Sequence, residues 1–177
     1  MTRRDFIRKI LEGFAATGLG WTVGMTTPSA ASSFRFPKPG KKERCPVCGM
    51  FAYKYPKWIA GFLFKSGKTY FHCCPKCMLH NLNNIAKYQP GETREDLELI
   101  WVTEYYTTRK MAAQDVLFVV GSHLVGPMGL DLIPVKGREA ANNFKRDYNG
   151  VLILTIDQIT PEIIDMARRG RLKPVKD

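Results

Sequence analysis

No Ser/His/Asp arrangement suited to nucleophilic catalysis occurs in this 177-residue chain, and no loop suited to cradling phosphate. Residues 121–129 are rich in glycine but lack the residue order of a nucleotide-binding motif. With neither feature present, the chain is not expected to be an enzyme. A nucleic-acid recognition motif is also missing, and the basic residues are spread along the chain rather than gathered in a patch. Cysteines number five, too few for a disulfide scaffold at this length, and histidines only three. Yet all five cysteines and two of the three histidines, His72 and His80, fall between positions 45 and 80. Scarce residues concentrated in one stretch mark where the chemistry lies.

The remaining composition is that of an ordinary globular protein, 45% hydrophobic and 24% charged. The length suits one domain or two small ones sharing a core. Net charge is +11. Removing residues 1–31 takes away Arg3, Arg4, Arg8 and Lys9 against Asp5 and Glu12, so the remainder still carries +9. Such an excess is expected to be a solvated basic surface, with contact to an anionic lipid surface or an acidic partner as the alternative.

The first thirty residues read as an address. Arg3 and Arg4 are adjacent and are followed by Asp5, Phe6, Ile7, Arg8 and Lys9, the order of a twin-arginine export signal. A weakly apolar stretch over 10–25 is interrupted by Glu12 and four glycines, too short and too polar to span a bilayer, which needs about 20 apolar residues. Pro28-Ser29-Ala30-Ala31 then supplies small residues where a signal peptidase reads. The expectation is a leader over 1–31, a Pro/Gly/Lys-rich linker over 32–44 and an exported, periplasmic domain over 45–170. That compartment makes nucleic acid an improbable partner.

Within the exported part, residues 58–64 and 69–73 predict a β-hairpin closed at Ser66-Gly67-Lys68, with a helix over 76–88 after Pro75. Strands are expected over 97–105, 115–120, 132–135 and 151–156, a helix over 138–148, and a last helix opened by Thr160 as N-cap and Pro161. The pattern is α+β: two small β-β-α-β-like halves, about 45–107 and 112–170, mostly antiparallel with helices on one face.

Two segments carry the sulfur. Cys45-Pro46-Val47-Cys48-Gly49-Met50 places three sulfurs within six positions, and His72-Cys73-Cys74-Pro75-Lys76-Cys77-Met78 follows the predicted hairpin. A hairpin brings its two ends together, so these segments should be neighbours. Thiolate and thioether donors select soft ions, above all Cu(I), and Gly49 permits a turn aiming Cys48 and Met50 at one point. Two rival readings stand beside this. Cys45–Cys48 with Cys74–Cys77 is a pair of Cys-x-x-Cys units, the spacing of a zinc knuckle. Alternatively, one such unit could perform thiol–disulfide exchange, although the βαβ surroundings of a thioredoxin are missing.

Beyond the sulfurs, Cys45–Phe51 with Lys54-Tyr55-Pro56-Lys57-Trp58, Phe64-Lys65-Ser66-Gly67-Lys68, Val102-Thr103-Glu104-Tyr105-Tyr106-Thr107, Gly126-Pro127-Met128-Gly129 and Asp157-Gln158-Ile159-Thr160-Pro161-Glu162 occur in colinear order. In these runs the chain resembles the NosL family, accessory proteins of nitrous oxide reductase in denitrification. The resemblance implies a periplasmic or membrane-attached chaperone that holds Cu(I) and passes it to a client copper enzyme or its membrane assembly machinery. It places the copper on Cys48 and Met50, with Met128 or His72 as candidate third ligand. Two departures stand out. No lipid-bearing cysteine follows the leader, and His72-Cys73-Cys74-Pro75-Lys76-Cys77 replaces a segment that is typically aspartate-containing in the family. Those extra donors, Cys74 and Cys77 among them, admit zinc beside or instead of copper.

Overall fold

In a computed structural model the described residues are 36–172, so the predicted leader and the start of the predicted linker lie outside them. The described part opens with a turn in which Arg44 and Phe51 pair as an antiparallel bridge around the first cysteines. Phe36, ahead of it, packs its ring against Trp101.

The hairpin forms as expected, between β1 (Ala60–Phe64) and β2 (Thr69–His72). Its register pairs Ala60 with His72 and Leu63 with Thr69. Gly67, at φ +84, makes the turn that an L side chain would strain. The strands β3 (Leu97–Thr103) and β4 (Lys110–Ala112) complete an antiparallel sheet of order β2-β1-β3-β4. Alternation along β1 sends Ala60, Phe62 and Phe64 to one face, while Gly61 lies on the other, against Trp101.

Between β2 and β3 the single helix predicted over 76–88 is broken in two, α1 (Pro75–Leu82) and α2 (Ile85–Tyr88). The cause is Asn83-Asn84. The Asn84 side chain donates to the His80 carbonyl at 2.8 Å, a local bond that competes with helix continuation. The buried face of α1 carries Met78, Leu79 and Leu82 into the core.

In the second half β5 (Leu117–Val120), β8 (Ile133–Val135) and β9 (Leu152–Leu154) form a sheet of order β8-β5-β9, and β6 (Val125–Gly126) pairs with β7 (Gly129–Leu130) as a separate minimal ribbon. Between β8 and β9 runs α3 (Arg138–Asp147), which lays Ala141 and Phe144 over Val119, Ile133 and Val135. Last comes α4 (Pro161–Arg168), where the Thr160 side chain accepts from the Ile163 N–H as the expected N-cap. All named strand pairs are antiparallel, and the α+β expectation holds.

One apolar core joins the halves. Phe62, Phe64 and Val102 of the first sheet meet Phe118 and Val120 of the second, with Met78 and Leu79 of α1 and Ile164 and Ala167 of α4 filling in. In contrast, α3 covers the opposite face of the second sheet. Among the described residues no helix is long and apolar enough to cross a membrane.

Candidate metal centre

The first cysteine segment is a tight knuckle. The Cys45 N–H donates to the Met50 carbonyl at 2.8 Å, and the Gly49 N–H donates to the Cys45 carbonyl at 2.8 Å. Gly49 sits at φ +76, where a side chain would strain the turn.

The second segment follows β2 directly. Because Ala60 pairs with His72, the chain leaving β2 lies beside the chain entering β1, and the two cysteine segments meet there. Cys74 is the extended N-cap residue of α1 and Pro75 its first helical residue. The result is a compact set of sulfurs. The Sγ atoms of Cys45, Cys48, Cys73 and Cys77 all lie within 4.8 Å of one another. Cys48 is 3.4 Å from Cys73, and Cys73 is 3.8 Å from Cys77. Three of these four cysteines are buried; Cys48 alone reaches the surface. No two are joined as a disulfide.

This grouping differs from the Cys-x-x-Cys spacing in one member. Spacing pairs Cys74 with Cys77, but the structure brings in Cys73. Cys73 precedes the extended N-cap Cys74 and lies outside α1, so no helical interval singles it out. Cys74 is buried just behind, its sulfur 3.9 Å from Cys73.

The remaining expected donors are distributed unevenly. Met50 is half-buried and packs against the cysteine cluster, as do Tyr55 and Trp58. Met128 is exposed and lines a cleft of about 460 Å³ together with Cys48, Cys77, His80, Tyr88 and Arg168. His72 is not brought into the sulfur set. Its Nε2 is bonded to the Asn81 side chain at 2.8 Å, and its ring lies 4.9 Å from that of Phe62. Burial lowers its pKa to about 4, so the imidazole is neutral in the core.

Crowding divides the protons unequally. The neighbouring Cys73 and Cys77 thiols hold the Cys45 thiol well below the ordinary range. The same two neighbours push Cys74 down to about 3. Cys73 and Cys77, retaining the shared protons, are raised correspondingly. Burial raises Cys48. A cluster that favours thiolates beside thiols is ready to exchange protons for a cation.

Behind the sulfurs is a polar brace that sequence reasoning missed. Asp131 is buried, and its Oδ1 accepts from the backbone N–H groups of Lys76 and Leu132 at 2.8 and 2.9 Å. It thus caps α1 from 55 positions away, where the helix's own N-cap side chain makes no capping bond. Burial, then the Cys74 thiolate, pushes its carboxyl well above the usual range. The Lys76 ammonium donates to the Met128 carbonyl at 2.6 Å and to the Leu130 carbonyl. The ribbon carrying Met128 is therefore strapped to the first turn of α1, beside Cys77.

A NosL family profile matches residues 37–164, from before the knuckle into α4. The chain belongs to the NosL family. Among solved structures, the crystal structure of the copper chaperone NosL from Shewanella denitrificans is similar, with a TM-score of 0.56 and 21% identity. The match covers 72% of this chain and 97% of that one, and at such identity it establishes the NosL fold. No curated protein matches the chain. The family, the fold and four cysteine sulfurs within 4.8 Å of one another make this cluster the candidate metal site of a NosL protein.

Proposed function

We propose that this chain is an exported carrier of Cu(I), which it holds through cysteine and methionine sulfur and delivers to a copper enzyme, nitrous oxide reductase or a related cuproprotein. The observation carrying the reading is the set of four cysteine sulfurs within 4.8 Å of one another, three of them buried and Cys48 half-buried at the edge. Membership of the NosL family and the fold of a copper chaperone from Shewanella denitrificans support it. Such a donor set fits a soft monovalent ion.

The arrangement suits transfer by ligand exchange. Cys45, Cys73 and Cys77 supply a buried floor, and Cys48 stands at the edge beside the cleft that Met128 also lines. An incoming sulfur from the client approaches Cys48 first, so the ion gains a new ligand before losing an old one. Met50, packed on the cluster, offers a thioether that binds Cu(I) without adding negative charge. The leader over 1–31 assigns the protein to the periplasm, and the basic surface suits an acidic client or membrane surface.

Zinc is the second reading, and the same four sulfurs favour it, since a closed set of four thiolates is the ligand set of structural Zn²⁺. Anaerobic titration with Cu(I) against a competing chelator separates the two. Cys48→Ser and Met50→Leu should each weaken Cu(I) binding, with Cys48→Ser costing at least tenfold, about 1.4 kcal/mol. Unchanged Cu(I) affinity in both variants refutes the carrier. Unfolding on removal of Zn²⁺, with no exchange of copper to a sulfur-bearing acceptor, establishes the zinc reading instead.

A further inference from the structure

A four-sulfur site leaves one cysteine over. Cys74 is fully buried, and its sulfur lies 3.9 Å from that of Cys73, which donates to it. Cys73 occupies the middle of the group. Its sulfur is 3.4 Å from Cys48, 3.8 Å from Cys77 and 3.9 Å from Cys74, and within 4.8 Å of Cys45. One tetrahedral Zn²⁺ would use four of these sulfurs and strand the fifth, buried and unligated. Cu(I) behaves differently: it is satisfied by two or three soft ligands, and a thiolate sulfur has lone pairs enough to bridge two such ions. A sulfur surrounded by four others at these separations has the placement of a bridge.

We propose that the cluster holds two Cu(I) ions, with the Cys73 thiolate bridging one ion on the Cys45/Cys48 side and one on the Cys74/Cys77 side. This rests on Cu(I) being the cargo and adds its number and arrangement. No electron moves: each Cu⁺ leaves its chelator and stays Cu⁺, every sulfur that still carries a proton releases it to solvent as it binds, sulfurs already thiolate bind through a lone pair, and the second Cys73–copper bond uses a further lone pair of the same thiolate. The two ions are not equivalent. The Cys45/Cys48 ion lies at the exposed edge and is first to exchange. The other is enclosed at the start of α1, next to the carboxyl of Asp131.

The test is anaerobic titration of the reduced full chain with Cu(I) held by a bathocuproine chelator. Stoichiometry is read by native mass spectrometry and copper–copper scattering by X-ray absorption. Two ions per chain with a short copper–copper vector are expected. Cys74→Ser should bind one ion and lose that vector while its far-UV circular dichroism is unchanged. Cys73→Ser should lose the vector as well. One ion per chain in the native protein overturns the two-copper site and leaves the carrier reading standing, whereas no bound Cu(I) overturns both. Two ions without a copper–copper vector, or a Cys74→Ser protein that still shows one, likewise refutes the bridge.

Discussion

Lys76 offers the sharpest test of how the metal-side architecture is held together. Only 6% of this lysine is exposed, and its ammonium spans from the first turn of α1 to the carbonyls of Met128 and Leu130. Replacement by Met keeps the length and apolar stem of the side chain but removes the cation and both bonds. A hydrogen bond from a charged donor contributes about 1.5–3 kcal/mol. Two of them would give about 3–6 kcal/mol, but the native protein also bears the cost of desolvating the ammonium, which the variant escapes. The buried carbonyls left unpaired and the lost neighbour of Asp131 act in the other direction. The net expectation for Lys76→Met is a loss of about 3 kcal/mol. With a urea slope of about 2 kcal/mol per molar, the unfolding midpoint should fall by ~1.5 M. Equilibrium unfolding of the reduced, metal-free protein measures this. Hydrogen exchange localises it, because amides over 125–131 should lose protection before those of β1 and β3. A midpoint shift under ~0.5 M, or exchange over 125–131 that matches the native protein, refutes the strap.

Two further perturbations address the frame around the site. At Glu104, burial acts to raise the carboxyl, but the Thr107 hydroxyl and N–H, at 2.6 and 2.7 Å, with the Tyr106 and Lys136 N–H groups, outweigh it and hold the pKa below the usual range. A depressed carboxylate stabilises above its unfolded pKa of about 4.3 and loses that contribution as pH falls through the folded value. Glu104→Gln should therefore cost about 2 kcal/mol at pH 7, and the gap to the native protein should close below about pH 4; a gap independent of pH would contradict the assignment. At Gly61, a Cβ would stand 2.5 Å from the Tyr70 carbonyl oxygen and 2.7 Å from the Trp101 ring. Gly61→Ala is expected to cost about 3 kcal/mol by overpacking the middle of the first sheet, measured by thermal unfolding, and a neutral substitution would show that the sheet yields there.

Much of this protein was determined by local chemistry that the sequence carries openly. Alternation of apolar residues and the Ser66-Gly67-Lys68 turn specify the hairpin, because strand period and turn geometry depend on near neighbours. Thr160-Pro161 starts the last helix for the same reason. The hairpin also ensures that the two cysteine segments meet. Which sulfurs converge was left to tertiary structure. Spacing singles out Cys74, but the direction in which the chain leaves β2 for α1 turns Cys73 toward Cys45 and Cys48. His72 depends on the same directions: a neighbour nine positions on holds its Nε2 inside the core, while its Nδ1 is buried without a hydrogen-bond partner. Asp131 and Lys76 carry no local signature at all. Their roles arise only once α1 and the β6–β7 ribbon lie side by side, since a helix end and a carbonyl accept any donor or acceptor that folding delivers. Chain-local rules decide which elements form; the directions of side chains across distant elements decide which atoms share a site.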